Sequence, residues 1–111
     1  MNKYEEKARA FKSQGNNCAY AVYNAYANDL NLKGDFPAPR SIEGKCGALL
    51  SALKILDETG HSDKKEEFER EFIAEFGYSK CAQLMTHERR CDDYVGWSAD
   101  KINKIVNETQ S

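Results

Sequence analysis

The sequence predicts an all-α protein, a compact single-domain bundle of about five or six short helices spanning residues 1–111. Three observations carry that prediction. Apolar residues recur three and four positions apart through most segments, the period of a helix with one buried face. No β-branched alternating run is present, so the usual signal of a half-buried strand is missing. The chain is 41% hydrophobic, enough for one modest core, and its only prolines, Pro37 and Pro39, lie in one long connection, so no linker divides it.

The first helix is expected over Lys3–Ser13, with Tyr4, Ala8 and Phe11 on one stripe, Gly15 as its stop and a place at the flank of the bundle. The second follows the capping candidates Asn16 and Asn17 and runs to about Asp29, with Cys18 in its first turn and Val22, Ala25 and Tyr26 facing inward. The third, the most apolar, starts between Ser41 and Gly44 and ends at Gly60. It turns Cys46, Leu49, Leu50, Leu53 and Leu56 inward.

The fourth helix opens on Ser62-Asp63, where Asp63 and Glu66 have capping-box spacing, and it lines up Phe68, Phe72 and Phe76 before Gly77 stops it. That phenylalanine ladder is a core face rather than a cofactor box. A short fifth helix from about Ser79 holds Cys81, Leu84 and Met85, and the polar run Thr86 to Arg90 breaks it. The last helix runs from about Asp92 to Asn107 and buries Val95, Ala99, Ile102 and Val106, with Asp92 and Asp93 near its positive end and the final residues frayed.

A net charge of -2 spread over both signs provides no basic stripe, which argues against a nucleic-acid partner and against insertion into or attraction to a membrane. The segment Met1 to Lys7 lacks the apolar stretch of a secretory signal, and no window is long enough to cross a bilayer, so the expected location is cytoplasmic. Thiols there are kept reduced. Four cysteines in such a chain point to redox chemistry, catalysis or metal binding more than to a static disulfide framework.

Cys18, Cys81 and Cys91 each fall near an expected helix N-terminus, and Cys46 does so if Gly44 rather than Ser41 begins its helix. At that position unpaired amide N–H groups and the positive end of the helix dipole favour thiolate, the form that attacks a disulfide or ligates a metal. Gly47 and Ala48, with Ser51 one turn on, leave little bulk beside Cys46. A cofactor or a second backbone can approach closely there, and close helix packing is the plainer reading of the same residues. No C-x-x-C occurs, so any site must be assembled by tertiary structure. Spacing alone does not choose among a dithiol relay, a zinc ion and an iron–sulfur cluster.

Four blocks of this chain resemble, in order, a family of small redox-active bacterial proteins named for four cysteines and a C-G-A-x-x-G motif. The blocks are Asn17 to Val22, Gly44 to Ala52, Phe76 to Leu84 and Cys91 to Val95, each built around one cysteine. The resemblance implies redox activity carried by the four cysteines. A related helical domain occurs in cytochromes that also hold an iron–sulfur cluster, so cluster binding stays open beside thiol chemistry. Two departures stand out: Ser51 replaces the last glycine of the motif, and the glycine-rich stretch before the second block is shortened to Gly34 through Gly44.

His87, between Cys81 and Cys91, and His61 read as loop histidines before they read as ligands or bases. Arg89 and Arg90 precede Cys91 while Asp92 and Asp93 follow it, so the local field there has no readable sign. Tyr20 and Tyr23 are candidates for a surface patch used in a homodimer. No serine–histidine–carboxylate set, phosphate-binding glycine loop or paired-histidine motif is present. The favoured function is therefore thiol/disulfide chemistry by Cys18, Cys46, Cys81 and Cys91 with an unidentified redox partner, as a thiol-based oxidoreductase. The alternatives are a protein holding an iron–sulfur cluster or zinc on the same thiolates, and an interaction module whose cysteines fill the core.

Overall fold

A computed structural model describes residues 3–32, 44–80 and 91–110, with the side chains of 91, 92 and 107–110 outside the description. Within them the chain folds as an all-α bundle of five α-helices: α1 (Lys3–Ser13), α2 (Cys18–Tyr26), α3 (Gly47–Glu58), α4 (Lys65–Phe76) and α5 (Cys91–Gln110). A 3-10 turn, Ser62–Lys64, precedes α4. The only extended pairing among the described residues is a single antiparallel bridge between Lys45 and Lys80. Of the short helix expected from about Ser79, Ser79 and Lys80 are described and are not helical; its remaining residues, with Cys81, Leu84 and Met85, lie outside the described residues, as do the prolines, His87, Arg89 and Arg90.

Local signals set most helix ends. Asn17 is extended, and its side chain accepts the Tyr20 N–H at 2.7 Å, so the first turn of α2 has the capping bond its sequence promised. Gly77 closes α4 at φ 91°, a left-handed conformation that costs glycine nothing, and its N–H donates to the Ile73 carbonyl at 2.7 Å. Four expected boundaries move, one of them the end of α5, which continues to Gln110 instead of fraying after Asn107. The α3 helix begins at Gly47, later than Ser41 to Gly44, because Gly44 is left-handed at φ 72° and Lys45 is bridged to Lys80. The α2 helix ends at Tyr26, ahead of Asp29. The Asp63–Glu66 capping box does not form: Asp63 lies inside the 3-10 turn, Lys64 caps α4 without a side-chain bond, and Ser62 donates instead to Asp57 at 2.7 Å.

Helix directions follow from a few contacts. Tyr4 stacks on Tyr26 with ring centres 4.2 Å apart while Phe11 meets Tyr20 edge-on, so α1 and α2 are antiparallel. Arg9 lies 3.7 Å from Asp93 near the start of α5, and Tyr26 donates from the Tyr4 end to the Ala99 carbonyl, so α5 runs with α2. The α3 helix also runs with α2, since Ser51 touches Ala19 and, further along both helices, Tyr23 reaches Glu58. The α4 helix runs the other way, with Phe76 against Tyr94 at 4.7 Å and Glu71 against Lys101 at 3.1 Å.

The core is shared by all five helices. Ala8, Val22, Tyr26, Leu49, Ile55, Leu56, Phe68, Phe72, Val95, Ala99 and Ile102 are buried together, as their spacing predicted for most of them. The α1 helix is not a flank: it packs against both α2 and α5. Tyr23 is not a surface residue: it is fully buried, with its hydroxyl donating to Glu58, and Tyr20 is half-buried against Phe11. A two-tyrosine patch on α2 is therefore absent, because α3 covers the flank that carries Tyr23. No helix among the described residues is long and apolar enough to cross a membrane.

Candidate functional site

The α2, α3 and α5 helices share one direction, so their N-termini lie at the same end of the bundle. Cys18 is the first residue of α2, Cys46 is the N-cap of α3, and Cys91 is the first residue of α5. The α4 helix, running the other way, finishes at this end, and the chain beyond it passes through Ser79 and Lys80. Cys81 is the next residue along. Cys81 and the side chain of Cys91 lie outside the described residues.

The start of α3 is the hub of this end. The Cys46 N–H donates to the Ser79 carbonyl at 2.8 Å and its carbonyl accepts the Leu50 N–H at 3.0 Å, so its backbone is fixed from both sides. Lys45, one residue earlier, bridges to Lys80 and pairs with Glu69 of α4 at 2.9 Å. One turn and a half into α3, the Ser51 hydroxyl donates to the Ala19 carbonyl at 2.7 Å, one residue after Cys18. Cys46 therefore sits on a short segment that is tied to the neighbours of two other cysteines.

The two described cysteines differ in access. Cys46 is 3% exposed and belongs to the hydrophobic core, whereas Cys18 is half-buried at the bundle end. Both meet the positive end of a helix dipole, worth roughly half an elementary charge per helix, and α5 adds a third such end beside them. A helix start favours anionic sulfur where water reaches it, as at the half-buried Cys18, and burial opposes that effect at Cys46.

Gly47 and Ala48 are buried, and Ser51, one turn on, meets the backbone of α2 at Ala19. Among the described residues no group of three or more cysteine, histidine, aspartate or glutamate side chains is close enough to hold a metal ion. Cys18 and Cys46 are two thiolate donors of a kind that suits iron–sulfur or zinc, and a cluster or a zinc ion would need the other two cysteines as well. His61 is occupied locally, 3.0 Å from the Thr59 hydroxyl.

A groove of about 340 Å³ lies between α3 and α4, floored by Leu50 and Leu53 and flanked by the Lys45–Glu69 and Lys65–Asp57 pairs. Its rim balances both signs of charge, and neither Cys18 nor Cys46 lines it. Sequence reasoning missed Ser79, Lys45 and Lys80 as the residues that join Cys46 to the end of α4. Nothing in their types signals a bridge, since its bonds are made by backbone. Compared with known proteins, the chain matches no protein-family model, no curated protein and no solved structure.

Proposed function

We propose that this protein is a small redox protein whose cysteines, brought to one end of the bundle by separate helices, perform reversible thiol–disulfide exchange. The observation that carries this reading is the common direction of α2, α3 and α5, which sets Cys18, Cys46 and Cys91 at three neighbouring helix starts. Cysteines placed only to fill a core have no reason to head helices that share one end. The four-block resemblance to redox-active cysteine proteins supports the same reading.

In this reading Cys18, the more accessible of the two described thiols, attacks as thiolate. Its sulfur displaces one sulfur of a substrate disulfide, forming a mixed disulfide and releasing the first thiolate, which takes up a proton from water. A second cysteine of the same end then attacks the Cys18 sulfur and releases the second substrate thiol. The substrate gains two electrons and the protein is left with one disulfide, to be reduced by a dithiol partner.

The test is an absorption spectrum of protein purified without oxygen, with iron, sulfide and zinc analysis and a thiol count through a glutathione titration. The expected protein is colourless and metal-free and loses its thiols in pairs. Visible charge-transfer bands with stoichiometric iron and sulfide would replace thiol exchange by cluster binding on the same cysteines. Four thiols that never oxidise would leave them as core residues of an interaction module.

A further inference from the structure

We propose that Ser51 is a positioning residue of the cysteine end: its buried hydroxyl holds the first turn of α2, and Cys18 with it, in register with the start of α3. This role rests on the thiol–disulfide reading above. Ser51 and Ser98 are the buried polar side chains among the described residues, and both are fully excluded from solvent. They differ in satisfaction. The Ser98 hydroxyl has no hydrogen-bond partner, whereas Ser51 donates to Ala19 at 2.7 Å across the α2–α3 contact. A buried hydroxyl that must find an acceptor fixes the one arrangement in which it has one.

The acceptor lies where a register shift would matter. Ala19 follows Cys18 directly, and its small, fully buried side chain lets the two backbones approach. Asn17 caps the same turn from the other side through Tyr20, so Cys18 is bracketed by two side-chain bonds, one from within α2 and one from α3. From Cys46 to Ser51 the α3 axis rises only about 7.5 Å. The Ser51 bond thus fixes Cys18 relative to the element that carries Cys46 and, through the Cys46–Ser79 bond, relative to the chain entering Cys81. Disulfide formation tolerates only a narrow range of Cα separations, about 4.4–6.8 Å, so a small slide of this turn changes how readily Cys18 pairs.

The same helix contact supplies its own control. Tyr23 donates to Glu58 at the far end of the α2–α3 interface, so Tyr23→Phe removes one hydrogen bond from that interface away from the cysteines. Full-length wild type, Ser51→Ala and Tyr23→Phe are equilibrated in glutathione buffers without oxygen and quenched with acid and alkylating reagent. The fraction of Cys18 in disulfide is then read by mass spectrometry. Oxidation of the dithiol consumes one oxidised glutathione and yields two reduced ones, so the buffer ratio at half-oxidation reports the equilibrium.

Ser51→Ala is expected to move that ratio by about threefold to tenfold, the range one lost buried hydrogen bond sets, while Tyr23→Phe leaves it in place. Ser51→Gly, which also drops the hydroxyl, should move it the same way, and urea denaturation of every variant verifies that each is folded in the buffers used. Equal shifts from Ser51→Ala and Tyr23→Phe, or none from Ser51→Ala, would overturn the role of Ser51 alone. Wild-type Cys18 that stays reduced in every buffer would overturn the thiol–disulfide reading and this role together.

Discussion

Gly96 stands in the interior of α5, where alanine is favoured over glycine by about 1 kcal/mol, and the structure says why glycine is there. A Cβ on residue 96 would overlap the guanidinium of Arg9, which lies flat on the α5 backbone. Arg9 is held in that place by Glu5 at 3.1 Å and by Asp93 at 3.7 Å. Gly96→Ala must push the guanidinium off these partners. Arg9 and Glu5 side chains are only 30% and 15% exposed, so losing their pairing costs about 1 kcal/mol, at the upper end for an ion pair that still reaches water. In the wild-type background gain and loss offset, and Gly96→Ala should change stability by no more than about 0.5 kcal/mol. In an Arg9→Ala background nothing obstructs the methyl group. There the same substitution should stabilise by about 1 kcal/mol, or about 4 °C in Tm for a domain of this size. Urea denaturation of wild type, both single variants and the double variant closes the cycle, with an expected coupling of about 1 kcal/mol. A coupling under about 0.3 kcal/mol would refute the contact between Arg9 and Gly96 and with it this account of how α1 docks on α5.

Three further outcomes follow from the same structure. Burial, helped by Tyr4 and Asp100, raises the Tyr26 phenol well above its ordinary value, so its contribution to stability is full below about pH 10 and is lost as pH rises further. Tyr26→Phe should therefore cost about 1 kcal/mol at neutral pH and flatten the alkaline limb of a stability–pH curve, and an unchanged limb would contradict the burial of that hydroxyl. Asp57 is the acid-side counterpart: hydrogen bonds from Lys65 first and Ser62 second lower its carboxyl, so its contribution is present above the ordinary value of 3.8 and is lost as pH falls through the lower folded value. Asp57→Asn should reduce the acid-side loss of stability, measured by urea denaturation from neutral pH downward. Finally, a small alkylating reagent should label Cys18 in the native protein about a hundredfold faster or more than Cys46, which waits on local opening, and peptide mapping showing equal rates would contradict the burial of Cys46.

Much of the secondary structure was legible because its determinants are local. Asn17 is a cap by its own side chain, Gly77 is a stop by its own backbone freedom, and the period of Val95, Ala99, Ile102 and Val106 marks the buried face of α5 whatever covers it. The capping box failed for a reason equally physical. Asp63 and Glu66 have the right spacing, but Ser62 bonds to Asp57 across the turn and the chain enters α4 through 3-10 geometry, in which Asp63 is not extended enough to cap.

The candidate site was legible in its residue types and not in its assembly. That Cys18, Cys46 and Cys91 begin helices is close to a local fact, and the thiolate-favouring field at a helix start follows from it. Which way those helices point relative to one another is not. Periodicity says which face of α2 is buried and is silent on what buries it, so Tyr23 reads as a surface aromatic until α3 is laid against it and Glu58 takes its hydroxyl. Ser51 reads as a small departure from a glycine motif until its hydroxyl meets Ala19.

The helices, most of their ends, their inner faces and the chemistry available to four cysteines are local properties, since each depends on a few neighbouring residues and the 3.6-residue turn. The common direction of α2, α3 and α5, the docking of α1 on both α2 and α5 with Arg9 flat on Gly96, and the fastening of Cys46 to Ser79 come from the folded chain alone. These depend on contacts between residues far apart in the chain, where a backbone carbonyl or a missing Cβ does the recognising and no residue type announces it.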